Sequence, residues 1–209
     1  MITSYNKVDV NSDPCSVVMA TTKPRPKAPT GLKAQGGLPA RIPLAWDSNS
    51  ETDIKYYRLQ RKEAEGKFKE ISKIGADQTQ YEDGKLEHGT TYFYLLQAED
   101  RDALLSDFSA TVEAATKPLP QAPAGIEVKG VAAGFELQWK PNQEMDIVRY
   151  RIFIHSFLTD KEIGSTDKTT FRIDTLKSDE EYSVSLTAVD KDGLESKKSE
   201  WITVRTLGE

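Results

Sequence analysis

AEDRDALLSDFSATVEAAT, residues Ala98–Thr116, occurs three times in recognisable form. The second copy is SYNKVDVNSDPCSVVMATT at Ser4–Thr22, and the third is AVDKDGLESKKSEWITVRT at Ala188–Thr206. They align without a gap. The fourth place is basic in each (Lys7, Arg101, Lys191), and the ninth is serine (Ser12, Ser106, Ser196). The fifteenth and seventeenth places are apolar: Val18 and Ala20, Val112 and Ala114, Ile202 and Val204. Apolar residues two apart are what a strand with one buried face requires. Each copy ends on threonine (Thr22, Thr116, Thr206). A period of roughly 90 residues suits one small β-sandwich per repeat.

The match runs on past the first two copies. Lys23-Pro24-Arg25-Pro26-Lys27-Ala28-Pro29 mirrors Lys117-Pro118-Leu119-Pro120-Gln121-Ala122-Pro123. Gly31 then mirrors Gly125, Trp46 mirrors Trp139, Asp53-Ile54 mirrors Asp146-Ile147, and Tyr57-Arg58 mirrors Tyr150-Arg151. Leu86 and Tyr92 mirror Leu176 and Tyr182. Residues 4–22 therefore read as the last hairpin of a repeat whose body lies outside this sequence, as in a longer tandem array. The expected organisation is a remnant plus linker over 1–27, a domain over 28–117, a proline-rich linker over 118–123 and a domain over 124–209. Three prolines between Lys117 and Pro123 make that linker short and stiff, because proline fixes φ and favours an extended backbone.

Within a repeat every signal is β. Ile42, Leu44 and Trp46 alternate with less apolar neighbours, as do Phe135, Leu137 and Trp139. Tyr57, Leu59 and Arg61 form a further alternating run, matched by Tyr150, Ile152 and Ile154. Tyr92, Tyr94, Leu96 and Ala98 repeat as Tyr182, Val184, Leu186 and Ala188. No segment sustains helical periodicity with caps. Short strands between turn clusters point to sandwiches rather than a parallel sheet.

A proline before the first strand, Trp on the second, Tyr on the third and Leu-x₅-Tyr before the sixth together resemble the fibronectin type III module. The resemblance implies an all-β chain of two tandem immunoglobulin-like (fibronectin type III) β-sandwiches. It implies that Trp46 and Trp139 fill the sandwich centres. It implies that Tyr92 and Tyr182 bond through their hydroxyls to backbone near Leu86 and Leu176.

Composition bounds the function. The 209 residues are 37% hydrophobic and 29% charged, a globular balance. Net charge is −5 with both signs interspersed, which argues against binding nucleic acid by phosphate neutralisation. No apolar run reaches the ~20 residues of a membrane helix, so no direct membrane insertion is expected. Cys15 is the only cysteine and His88 and His155 the only histidines, which excludes Cys₂His₂ and Cys₄ metal sites by count. Neither histidine has a nucleophile or carboxylate at a spacing that a catalytic motif needs, and both read as surface residues. The pairs Glu99-Asp100 and Glu180-Glu181 read as solvated. No phosphate-binding glycine loop occurs. No enzyme activity, cofactor or metal is expected.

Binding to protein is the remaining expectation, with loops as the place for it. Leu105 stands where the sibling turns carry Asn11 and Glu195, and Phe108 follows it, which makes both candidate contacts. Lys140, Asn142, Gln143 and Met145 form a second candidate, the polar loop after Trp139. Its Trp-Lys-Pro segment faintly resembles one implicated in host fibronectin binding by a bacterial fibronectin-like surface lipoprotein. A third candidate is a basic face around Arg149, Arg151 and Arg172. The resemblance implies a non-catalytic adhesion module of a multi-domain cell-surface or extracellular protein, with a matrix protein such as fibronectin as partner. Cys15 does not suit a lipidated cysteine, because Ser12-Asp13-Pro14 rather than an apolar leader precedes it. Any anchor is therefore expected outside this segment. The rival readings are a passive spacer of a secreted enzyme and an intracellular scaffold array. No Arg-Gly-Asp, Trp-Ser-x-Trp-Ser or Asn-x-Ser/Thr occurs.

Overall fold

The computed structural model describes residues 2–8, 11–155 and 159–208. Among these residues there are fifteen strands and no helix. The first eight, all antiparallel in their pairings, build one sandwich. β1 (Lys33–Ala34), β2 (Arg41–Ala45) and β5 (Gln80–Gly84) form a three-stranded sheet in the order β1-β2-β5. β4 (Lys69–Gly75), β3 (Ile54–Glu63) and β6 (Thr91–Asp100) form the other, with β7 (Leu105–Phe108) and β8 (Val112–Ala115) both pairing β6.

The second sandwich repeats the plan. β9 (Ala124–Val131), β10 (Gly134–Lys140) and β13 (Thr170–Ile173) make the smaller sheet. β12 (Asp160–Thr166), β11 (Ile147–His155), β14 (Glu181–Asp190) and β15 (Ile202–Arg205) make the larger one. Each sandwich has its own core drawn from both sheets. Ile42, Leu44, Tyr57, Leu59, Tyr94 and Leu96 meet in the first, and Phe135, Leu137, Tyr150, Ile152, Val184 and Leu186 in the second. The alternation read from the sequence is the alternation of inward-facing side chains.

Trp46 lies one residue beyond β2, yet it is buried beside Tyr57 with ring centroids 5.6 Å apart, edge to face. Trp139 and Tyr150 do the same at 5.2 Å. The Tyr92 hydroxyl accepts the Glu87 N–H at 3.1 Å, and the Tyr182 hydroxyl accepts the Lys177 N–H at 3.3 Å. Both bonds fall one residue past the leucines, as the tyrosine-corner expectation requires.

The repeat's signature residues have physical roles. The ninth-place serine supplies an acceptor for the backbone of the long strand before it: Ala98 N–H donates to Ser106 Oγ and Ala188 N–H to Ser196 Oγ, both at 2.9 Å. The closing threonine is buried and bridges a turn. Thr116 Oγ1 accepts Thr90 N–H at 3.1 Å and donates to Glu87 O at 2.6 Å. Thr206 does so with Glu180 N–H at 3.1 Å and Lys177 O at 2.7 Å.

The leading copy is built in part. Ser4 N–H donates to Ser12 Oγ at 3.2 Å, and Val8 N–H to Asn6 Oδ1 at 3.0 Å, which reproduces the turn of the other two copies. Its strand half is different. Ser16–Ala20 forms no strand, and Val17, Val18 and Met19 are exposed. A turn closes on its own residues, whereas a strand needs a neighbour to satisfy its backbone.

Candidate functional site

The most elaborate polar constellation lies where each sandwich meets the linker that precedes it. It starts from the core. Tyr57 and Tyr150, fixed by their tryptophans, present hydroxyls that accept Asn49 N–H at 2.8 Å and Asn142 N–H at 3.3 Å. This pins the loop between the second and third strands of each sandwich. Asn49 Nδ2 then donates to Lys27 O at 2.9 Å, and Glu51 Oε1 accepts Lys27 N–H at 2.8 Å. Asn142 Nδ2 donates to Gln121 O at 2.8 Å, and Glu144 Oε1 accepts Gln121 N–H at 2.7 Å. Asn and Glu brace each other at 3.2 Å in both copies. One linker residue thus has both backbone groups satisfied by side chains, as a neighbouring strand would satisfy them.

Four residues upstream, a lysine enters a socket of three aspartates. Lys23 Nζ lies 2.6 Å from Oδ2 of Asp53, Asp100 and Asp102. Lys117 Nζ lies 2.7 Å from Oδ2 of Asp146 and of Asp190, and also pairs with Asp192. The central aspartate is oriented by backbone: Asp100 Oδ1 accepts Asp102 N–H at 2.9 Å and Leu104 N–H at 2.8 Å. Asp190 Oδ1 accepts Asp192 N–H and Leu194 N–H at the same two distances. Oδ2 of Asp100 and of Asp190 are buried without a well-aligned hydrogen bond, so each meets the ammonium chiefly as a charge.

The electrostatics follow. Contacts with Asp100, then Asp102 and Asp53, hold Lys23 above the ordinary lysine range. Burial acts to lower Lys117, but its three carboxylates outweigh that and raise it. The Lys23 ammonium lowers Asp100. Burial pushes Asp190 up, and Lys117 with the Leu194 N–H brings it down on balance. The hydrogen bond from the Lys27 N–H lowers Glu51; in Glu144 the Gln121 N–H overcomes burial to the same end.

The two lysines differ in one respect. The Lys23 side chain is 39% exposed and the Lys117 side chain 17%. Lys117 is held from behind by the first sandwich, through its N–H to Leu38 O at 2.9 Å and its carbonyl from Gly89 N–H at 3.2 Å. It therefore joins two sandwiches, backbone in one and ammonium in the other. Gly89, which holds the Lys117 carbonyl, has φ +64°, a left-handed backbone that favours glycine.

The residues singled out from the sequence fall in different places. Leu105 is half-buried in β7 and Phe108 is 47% exposed at its end. Lys140, Asn142, Gln143 and Met145 belong to the other sandwich. Of these only Asn142 is in the constellation, and it faces the linker. Lys140 and Gln143 are exposed, and Met145 is 100% exposed. The basic face does not exist as one surface. Arg151 lies on β11 and pairs with Glu162 and Glu195, whereas Arg172 lies on β13 of the opposite sheet and pairs with Glu136. The reading of Glu99-Asp100 as solvated is also corrected, because Asp100 is buried at the socket. Glu180 and Glu181 are exposed. His88 is half-buried, and His155 is exposed and pairs with Asp160 at 2.9 Å.

Sequence reading passed over the socket and the brace. The signal was present as a doubled Asn-x-Glu-x-Asp-Ile, at Asn49–Ile54 and Asn142–Ile147, together with the doubled Lys-Pro.

Residues 121–205, which span most of the second sandwich, match the fibronectin type III domain family. Domains of this family serve as protein-interaction or spacer modules in multi-domain proteins. No curated protein matches the chain. Among solved structures, the chain is similar to the FN1-FN3 domains of chicken CNTN1, at TM-score 0.43 and 16% identity over 98% of this chain and 76% of that one. It is also similar to a two-domain fibronectin type III segment of chicken tenascin, at TM-score 0.41 and 22% identity over 85% of this chain and 99% of that one.

Proposed function

We propose that this chain is a non-catalytic, stiffened segment of a domain array, which holds successive sandwiches in a fixed relation and displays their surfaces to protein partners. The observation that carries this reading is Lys117, rooted in the first sandwich and paired with Asp146, Asp190 and Asp192 of the second. A passive tether would need no such grip; the proline-rich linker and the Gln121 brace remove what freedom remains. The test is interdomain orientation from residual dipolar couplings on the full chain. Both sandwiches of the native protein should share one alignment tensor, and Lys117→Ala combined with Asn142→Ala should separate the two tensors. Identical tensors in the variant would sink the reading.

A second reading is adhesion to a matrix protein such as fibronectin, with the array at the cell surface or outside the cell. It is favoured by Met145, fully exposed, with Val148 52% exposed close by in sequence. An apolar residue held out on a pinned loop is a suitable anchor for a protein partner. Saturable binding to immobilised fibronectin that Met145→Glu abolishes would support it. Absence of binding above an albumin control would leave the array segment alone.

A further inference from the structure

We propose that the linker grip is a peptide-binding site in its own right, which takes an extended Lys-Pro-x-Pro-x segment in trans from a second copy of the chain when its own linker is displaced. This rests on the reading of the linker as gripped, and concerns the first sandwich.

The same occupant is held twice by equivalent residues. Residues 23–27 and 117–121 differ at the third and fifth places, Arg25 against Leu119 and Lys27 against Gln121. What is shared is what the grip touches: the lysine ammonium in the aspartate socket, a buried fourth-place proline (Pro26, Pro120) and both backbone groups of the fifth residue. Recognition thus reads a lysine and a backbone shape and ignores the variable side chains.

In the first grip the holding contacts are all assigned to one sandwich. Residues 11–24 that lead into it are exposed, and no strand of the first sandwich pairs with them. Every group that holds Lys23 and Lys27 there (Asn49, Glu51, Asp53, Asp100, Asp102) belongs to the first sandwich. Prolines on either side of the variable third place restrict the free segment before it binds, which lowers the ordering cost. Tethering supplies the cis segment at a millimolar effective concentration, so a trans segment enters only where the cis one has been displaced.

The experiment uses the full chain carrying Lys23→Glu, which places a fourth carboxylate beside the socket and expels the leading linker. The probe is the capped peptide Thr-Lys-Pro-Leu-Pro-Gln-Ala, copied from residues 116–122, followed by amide chemical shifts. Saturable shifts are expected at Asn49, Asp53 and Asp102, at least tenfold tighter than in the native chain. Replacing the peptide's lysine with alanine should weaken binding at least tenfold. Unchanged shifts at core residues Leu59 and Leu96 establish that the variant is folded. Asn142 and Asp192, whose grip stays filled, are the internal control and should not move. No saturable shift up to about 10 mM peptide, above the usual tether concentration, would overturn the proposal. So would equal shifts at both grips, or indifference to the peptide's lysine. Because the readout lies within one sandwich, it is independent of whether Lys117 fixes the interdomain angle.

Discussion

Lys117 Nζ lies 2.7 Å from Asp190 Oδ2 across the boundary between two sandwiches, and Lys23 repeats the contact with Asp100 at 2.6 Å. An ammonium surrounded by three carboxylates leaves the socket with surplus negative charge, so its lysine is the group that keeps the aspartates together.

The linker brace should be measurable by amide exchange. The Gln121 N–H donates to Glu144 Oε1 at 2.7 Å. Hydrogen bonds to charged groups contribute about 1.5–3 kcal/mol, less at an exposed site. Glu144→Gln should therefore accelerate Gln121 exchange by about tenfold, the factor that 1.4 kcal/mol gives. Exchange unchanged in the variant would show that the bond contributes nothing.

Acid should release the grip. Asp100, Asp190, Glu51 and Glu144 are held below their ordinary values in the folded state. A group with a lowered folded pKa contributes stability that is present above its unfolded value, about 3.9 for Asp and 4.3 for Glu, and is lost as pH falls through the folded value. Lys23 and Lys117 are raised, so their contribution is complete below about 10.4 and is lost as pH climbs through the higher folded value. Between about pH 5 and pH 10 the interdomain orientation should be constant. As pH falls from about 4 through the lower folded values of Asp190 and Glu144, the two sandwiches should come to reorient independently, which rotational correlation times measured for each would detect.

The two cores solve one problem in different ways. In the first, Asp83 accepts Arg61 Nη1 at 2.8 Å and the Tyr94 hydroxyl at 2.8 Å. Burial, together with the Asp83 carboxylate, pushes the Tyr94 phenol up. At the paired positions of the second sandwich stand Ile154, Ile173 and Val184. Removing one member strands the others, whereas replacing all three with apolar residues is often neutral or stabilising. Asp83→Ile alone should cost about 2–3 kcal/mol, discounted because Arg61 is partly exposed. The triple change Arg61→Ile, Asp83→Ile, Tyr94→Val should return to within about 1 kcal/mol of native. Urea unfolding of the variants decides it; a triple variant weaker than the single one would contradict the swap.

Thr116→Val and Thr206→Val should separate local from interdomain stability. Each hydroxyl both accepts and donates a hydrogen bond while buried. Its loss should cost about 1–3 kcal/mol in the sandwich concerned. Only Thr116 adjoins Lys117, so only Thr116→Val should also loosen the interdomain orientation. Equal effects of both on orientation would refute that assignment.

The strands and cores were legible because their signal is periodic and local. Tyr92, Tyr94, Leu96 and Ala98 alternate in the sequence and are all buried on one face. The socket was not legible in this way. Asp53 is far in sequence from Asp100 and Asp102, and each looks like an ordinary surface aspartate until the sheet brings the start of β3 beside the end of β6. The basic face failed for the converse reason. Arg151 and Arg172 seemed to share a surface, but sandwich topology sends their strands to opposite sheets.

By itself the sequence determined the period, because whole segments repeat in register, and the β class, the core aromatics and the tyrosine corners, because each of these depends on residues a few positions apart. Tertiary structure alone decided which charges are neighbours, that Asn142 faces a linker, and that Lys117 spans two sandwiches. Coulombic pairing and backbone capture act through space at under 3 Å. Residues meet at that range only after the sheets have stacked and brought their loops to one end.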